Sequence, residues 1–175
     1  MVAAAGPAQP TALAVAQWRM DIARISAAAA GTALVVVYAV GSGLWVTTGD
    51  AWYRSLDQPP WQPPGAVFGI IWPYNFAVLI AAGIAVALNG SPAARTVWLV
   101  GLALSVTAAL TWARLFYVSH SLWPAAIALV AAAVLTVPIV AAAWNTRTWA
   151  GAILVPYNVW VALAASLSVG YALRN

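Results

Sequence analysis

Apolar residues in this chain fall into five long runs, separated by shorter polar segments. Each run is close to the roughly 20 residues that an α-helix needs to cross a bilayer. A bilayer-spanning backbone must pair its own polar groups, which favours helices over strands. The pattern predicts an all-α membrane protein, a five-transmembrane-helix bundle with spans at about residues 26–46, 65–88, 96–118, 124–143 and 149–173.

The polar segments predict how this bundle is connected. Residues 1–12 are rich in Ala, Pro and Gln and are expected to be disordered, and residues 13–25 to form a short amphipathic or juxtamembrane lead. The run that follows is too long for the apolar region of a signal peptide, so we interpret it as a retained span. The first loop, residues 47–64, is the longest; the others are short enough to make successive helices antiparallel neighbours. Residues 26–175 therefore form one domain.

The amino-acid composition is that of a membrane protein, and it excludes some kinds of catalytic chemistry. The chain of 175 residues is 65% hydrophobic and 6% charged, whereas soluble domains carry about 25% charged residues. It contains no Lys, Glu or Cys, which excludes disulfides and thiolate chemistry. The formal charge of +4 bears on membrane orientation and lipid headgroups rather than on nucleic acid, so the bilayer is the expected partner.

The arginines predict an orientation. The side of the bundle that holds the N-terminus carries Arg19, Arg24, Arg95 and Arg147 against Asp21. The other side carries two arginines against two aspartates. The excess of arginine on cytoplasmic loops therefore predicts a cytoplasmic N-terminus in a multi-pass protein of a bacterial cell membrane.

Catalytic groups are scarce. The three acids, Asp21, Asp50 and Asp57, lie outside the spans, and the one histidine, His120, lies in a loop. No metal cluster or Ser/His/Asp arrangement can be assembled from these residues, so we predict neither catalytic nor metal-binding residues and favour a protein that is not an enzyme. His120 is either an ordinary loop residue or an axial haem ligand.

Arg114 is the one charged residue inside a span. It lies near the end of the third span, between Trp112 and Phe116. A charge at membrane depth indicates a functional site by default, and Arg114 could pair with a ligand carboxylate at this end of the bundle. Alternatively, its side chain extends to the membrane surface, as arginines near helix ends do.

Aromatic residues give the strongest indication of a binding site. Phe68, Trp72 and Phe76 recur every four residues behind a rigid segment that contains Trp61 and four prolines. Large flat side chains among Ala-rich walls are typical of a pocket for a flat, apolar ligand. Core packing and interfacial belts are the alternative for each residue alone. The other candidates are Trp112 and Phe116 in the third span, Trp123 at the start of the fourth, and Tyr157 and Trp160 in the fifth.

These residues resemble the tryptophan-rich sensory protein/translocator protein (TspO/MBR) family over nearly all of the chain from about residue 30. The first loop and second span match most specifically, and two shorter matches follow in the right order. The residues that carry the resemblance are Trp52, Tyr53, Leu56, Pro59, Trp61, Pro63, Pro64, Phe68 and Trp72; Trp112, Phe116 and Tyr117; and Pro156, Tyr157, Trp160, Ala162, Ala164 and Leu167.

The resemblance implies five helices around a cavity beneath the first loop, and a homodimer. It implies binding of porphyrins and, in some members, of sterols and drugs, with no required cofactor but with porphyrin or haem as a ligand. A sterol-recognition segment would correspond to Leu167, Tyr171 and Arg174. The implied pocket residues are Trp72, Phe76, Trp112, Phe116, Trp123, Trp160 and Ala164.

The chain also departs from the family pattern. Ala109 and Ser168 stand where the family usually has Asn, Ile127 where an acid is often found, and Asn75-Phe76 where Leu-Tyr is usual. We therefore expect a shifted ligand preference. Three functions remain open: a sensor, carrier or regulator that binds tetrapyrroles or similar flat molecules, an enzyme that degrades porphyrin photo-oxidatively, and a structural or partner-binding bundle without a small ligand.

Overall fold

The structure is a computed structural model that describes residues 11–175. This part of the chain forms seven helices, and five spans within it are long and apolar enough to cross a membrane. The predicted all-α, five-span membrane fold is therefore confirmed. The helices are α1 (Ala12–Trp45), α2 (Ala51–Ser55), α3 (Gly65–Asn89), α4 (Pro92–Tyr117), α5 (Leu122–Thr146), α6 (Thr148–Ala152) and α7 (Val155–Arg174).

Helix α1 is longer than the first predicted span. It begins at Ala12 rather than near residue 26, because no proline or glycine interrupts the sequence between Thr11 and Gly31. The predicted lead over residues 13–25 is thus continuous with the span. Most of the predicted disordered segment, residues 1–10, lies outside the described residues.

The fifth span is divided into α6 and α7. The break lies at Ile153 and Leu154, and Pro156 follows in the first turn of α7, where the missing N–H of proline removes no intrahelical hydrogen bond. The hydroxyl of Tyr74 on α3 donates to the carbonyl oxygen of Ile153 at 2.9 Å, which pairs a carbonyl at the break. Pro73 and Pro138, by contrast, lie inside continuous helices.

The long first loop contains a helix that the sequence pattern did not predict. Asp50 is the N-cap of α2, and its carboxylate accepts hydrogen bonds from the backbone N–H of Tyr53 at 2.7 Å and from the hydroxyl of Thr47 at 3.0 Å. A side-chain acceptor at this position pairs N–H groups that have no partner within the helix. We call residues 46–64, which connect α1 to α3 and include α2, the capping loop.

The five long helices do not pack evenly. Helix α1 packs against α3 and α4, α4 against α5, and α5 against α7, whereas α3 and α7 make few contacts. Close approach is supported by small residues: an added Cβ at Gly83 on α3 would lie 3.1 Å from the indole of Trp98. The loose packing between α3 and α7 leaves space at the end of the bundle that the capping loop covers.

Candidate ligand-binding site

A cavity of about 770 Å³ lies beneath the capping loop. Helices α1, α3, α4 and α7 form its walls, and the capping loop contributes its outer end. The lining is mostly aromatic and aliphatic, and no charged side chain lines the cavity among residues 11–175. This arrangement favours a neutral, apolar ligand body.

Three aromatic rings hold one another in place on one wall. The ring of Tyr38 on α1 packs edge-on against Trp72, with centroids 5.7 Å apart, and against Phe76, at 5.5 Å. Trp72 and Phe76 stack on each other at 5.6 Å. Edge-to-face contacts of this kind are favourable for aromatic rings, so the wall presents a preorganised apolar surface.

A hydrogen bond fixes a fourth ring on the α4 side. The indole N–H of Trp112 donates to the hydroxyl of Ser168 on α7 at 3.1 Å. Ser168 is buried and occupies one of the two positions where the family pattern has Asn, so a side-chain acceptor is present there despite the substitution. Phe116, one turn further along α4, packs edge-on against Tyr171 at 5.4 Å.

A polar triad of Tyr53, Gln62 and Tyr171 forms the outer end of the cavity. The Tyr171 hydroxyl donates to the side-chain oxygen of Gln62, and the side-chain N–H of Gln62 donates to the Tyr53 hydroxyl oxygen at 3.2 Å. The hydroxyl oxygens of Tyr53 and Tyr171 lie 3.1 Å apart. The triad joins the capping loop to α7 and contributes hydrogen-bonding groups to the outer end of the cavity.

The capping loop is also attached to the C-terminal end of α7. Asp57 forms an ion pair with Arg174 at 3.2 Å, and its backbone N–H donates to the side-chain oxygen of Asn175 at 2.9 Å. The indole N–H of Trp61 donates to Ser166 at 3.2 Å. Gly170 lies against this loop so closely that an added Cβ would be 2.8 Å from both Pro59 and Trp61.

His120 holds the other side of the capping loop. Its ring stacks on that of Trp52 in α2, with centroids 3.8 Å apart and planes 10° apart, and its φ of 54° places it in the left-handed region. His120 is exposed and does not line the cavity. No group of three His, Cys, Asp or Glu residues that could hold a metal ion occurs within the described chain.

Asp50 in the capping loop has a pKa below its ordinary value. The hydrogen bond from the backbone N–H of Tyr53 is the largest cause of a lowered pKa, and the hydroxyl of Thr47 adds to it. Both bonds favour the carboxylate form. The cap of α2 therefore depends on an ionised Asp50.

Eight of the fourteen residues singled out from the sequence line the cavity. They come from the second, third and fifth predicted spans and include two of the three residues of the sterol-recognition segment. These eight are Phe68, Trp72, Phe76, Trp112, Phe116, Ala164, Leu167 and Tyr171.

The other six lie elsewhere. Trp61 and Arg174 attach the capping loop to α7, and Trp160 lies behind Phe68, with ring centroids 5.1 Å apart. Tyr157 is buried in the core, and Trp123 is 52% exposed. Arg114 is also exposed, because it follows Trp112 by two residues and so projects about 200° around α4 from it.

Several lining residues were not among the predicted site residues. Tyr38 contributes to the aromatic wall, and Gln62 and Tyr53 to the polar triad. Tyr53 was part of the sequence motif but had no assigned role. A glutamine between prolines in a rigid segment is the one signal that could have indicated Gln62, whereas Tyr38 reaches the cavity only through the packing of α1 on α3.

Comparisons with known proteins agree with this architecture. The family model described as "TspO/MBR family" matches residues 30–174. A "Tryptophan-rich sensory protein" of Cereibacter sphaeroides is 30% identical over 78% of this chain and 87% of its own length. A "Tryptophan-rich protein TspO" of Bacillus cereus is 29% identical over 67% and 76%, and "Protein CrtK" of Rhodobacter capsulatus is 26% identical over 77% and 88%.

Proposed function

This chain belongs to the TspO/MBR family, and we propose that it is a membrane protein that binds tetrapyrroles or similar flat, apolar molecules as a sensor, carrier or regulator. The observation that carries the proposal is the aromatic cavity of about 770 Å³ beneath the capping loop. Its volume is within the range of about 300–1,000 Å³ that is usual for ligand pockets.

The shape of the lining supports a flat ligand. Trp72 and Phe76 stack on one wall, and Trp112 is fixed on another by its hydrogen bond to Ser168. Aromatic rings that are already held in place lose little conformational freedom when a ligand stacks on them. A bundle without a small ligand would gain stability by filling this volume with side chains, so the cavity favours the binding function over a purely structural one.

The charge distribution indicates how a tetrapyrrole would lie. The uncharged lining suits the macrocycle, and burying carboxylates there without partners would be costly. The polar triad at the outer end offers hydrogen-bonding groups near the membrane surface. We therefore expect the carboxylates of a porphyrin to point outward past the capping loop, with the ring between the aromatic walls.

Titration with protoporphyrin in detergent micelles, followed by tryptophan fluorescence, tests this function. We expect saturable quenching in the unmodified protein. Trp72→Ala should weaken binding about tenfold or more, because a stacking surface is lost. Trp123→Ala is the matched control, because Trp123 is exposed and outside the cavity. Quenching without saturation would contradict ligand binding, and equal effects of the two substitutions would contradict this cavity as the site.

The second candidate function is photo-oxidative degradation of porphyrin. It is favoured by the two indole rings that line the cavity, those of Trp72 and Trp112. The same complexes can be illuminated and the porphyrin absorbance followed. If the protein is an enzyme, porphyrin should bleach faster with the protein than in detergent alone. Trp72→Ala should lower the bleaching rate to that of porphyrin in detergent. Bleaching at the rate of free porphyrin would contradict this function.

We further propose a cytoplasmic N-terminus and a homodimer. Arginine placement supports the orientation, and the family supports the dimer. Because the chain has no cysteine, single cysteines introduced at Ser119 and Thr148 can report the orientation. A membrane-impermeant reagent should label only the Ser119 variant in intact cells, and the reverse result would contradict the orientation. Cross-linking in membranes should yield a dimer band.

A further inference from the structure

Asn75 on α3 is a buried polar residue whose side chain has no hydrogen-bond partner within residues 11–175. Its side chain is 0% exposed, and neither its amide nitrogen nor its amide oxygen has a hydrogen-bond partner among the described residues. Buried side-chain amides are nearly always paired, because leaving them unpaired costs free energy. An unpaired amide at this depth is therefore available to a group that the described residues do not supply.

The position of Asn75 places it beside the cavity. It follows Phe68 by seven residues, about 20° short of two full helical turns, so both lie on the same stripe of α3. It directly precedes Phe76, which lines the cavity. The cavity thus extends along α3 at least as deep as Asn75, and the stacked rings of Trp72 and Phe76 form the adjoining wall.

A second unpartnered group lies near the same stripe. The indole nitrogen of Trp160 on α7 is buried and has no hydrogen-bond partner within residues 11–175, and its ring contacts Phe68. Helices α3 and α7 make few contacts. Two buried polar groups without a hydrogen-bond partner within residues 11–175 thus lie on helices that pack loosely against each other.

From this geometry we propose that Asn75 is a specificity-determining residue, whose amide forms a hydrogen bond with a carbonyl or N–H group on the buried edge of a flat ligand. The amide of asparagine supplies both donors and an acceptor, so it suits a ring carbonyl or a pyrrole N–H. Asn75 is not itself among the lining residues, so this contact requires the rings of Trp72 and Phe76 to rotate. This inference rests on the proposed function of the cavity as a ligand site.

A pair of probes that differ in one group tests the inference. Fluorene and fluorenone are flat and similar in size, and fluorenone has a carbonyl where fluorene has CH₂. Their affinities are measured in the same micelles for the unmodified protein, for Asn75→Leu and for the control Asn158→Leu. Asn158 is also an asparagine of the bundle, but it donates to Thr136. Because micelle partitioning affects each probe equally in every variant, the ratio of affinities isolates the contact with the protein.

We expect the preference for fluorenone over fluorene to fall about tenfold in Asn75→Leu, the effect of one lost hydrogen bond to a buried ligand. The preference should not change in Asn158→Leu. An unchanged preference in Asn75→Leu would overturn the inference, whatever the stability of that variant. If neither probe binds saturably to the unmodified protein, the proposed function fails instead.

Discussion

Single residues determine how the cavity is closed. The close contact of Gly170 with Pro59 and Trp61 lets the capping loop lie directly on α7. Ser168, two residues earlier, accepts the hydrogen bond that fixes Trp112. Neither residue has a large side chain or a charge. Gly170 matters because it leaves space for the capping loop, and Ser168 matters because it provides a hydrogen-bond acceptor.

Gly170→Ala should loosen the capping loop. The added Cβ would lie 2.8 Å from Pro59 and Trp61, and a clash of this kind costs about 1–3 kcal/mol. We expect faster proteolysis of residues 46–64 and a lower midpoint of thermal unfolding in micelles. Gly43→Ala is the control, because an added Cβ there meets nothing within 4 Å. Equal effects of both substitutions would contradict the role of this contact.

Helices and loops shape both ends of the bundle. Pro156 in the first turn of α7 accompanies the break after α6, and the hydroxyl of Tyr74 pairs the exposed carbonyl of Ile153. At the other end, α2 stiffens the capping loop, and the stacking of Trp52 on His120 attaches it to the α4–α5 connection. The cavity thus lies beneath a loop that is held on two sides.

The stability of α2 should fall at acidic pH, because its N-cap Asp50 becomes protonated. Its pKa is lowered in the folded protein, mainly by the N–H of Tyr53, so its contribution is fully present above the unfolded pKa of about 3.9. The contribution is lost as the pH falls through the lower, folded pKa. Hydrogen exchange of residues 51–56 should therefore rise relative to the rest of the chain in that window. Asp50→Ala should show fast exchange already at neutral pH, and an identical profile in both proteins would contradict the cap.

The whole molecule combines a tightly packed bundle with a loosely packed end. Trp98 packs against glycine on α1 and α3, and Leu79, Leu102 and Ile139 are fully buried in the core. The contacts between α3 and α7 are few by comparison. Because side chains leave the cavity unfilled, its volume is available to a ligand.

Filling the cavity should therefore abolish binding without unfolding the protein. Ala164 lines the cavity, whereas Ala162 on the same helix is exposed. Ala164→Phe should reduce protoporphyrin affinity at least tenfold, because the new ring occupies the volume that the ligand needs. Ala162→Phe should bind normally, and both should retain the far-UV dichroism of a helical protein. Normal binding by Ala164→Phe would contradict this location of the ligand.

Much of the fold could be predicted from the sequence, because apolar runs of bilayer length permit little except helices. The i,i+4 aromatics also identified two cavity walls. The helix α2 was missed, since five residues leave no periodic pattern. Arg114 was predicted at the site because it lies near the end of the third span. Its angular position on α4 turns its side chain away from the cavity. The partners of Tyr38 could not be predicted, because they lie on another helix.

Hydrophobicity along the chain predicts the five membrane-spanning helices, and helical spacing predicts the aromatic faces of the second and third spans. Hydrophobicity and helical periodicity are local properties, so they can be read along the chain. The packing of the helices, by contrast, specifies which aromatics face a shared volume and that Tyr53, Gln62 and Tyr171 meet at its outer end. It also leaves Asn75 buried without a hydrogen-bond partner among residues 11–175. Those features depend on how helices distant in sequence are rotated and packed together, and no local pattern specifies that.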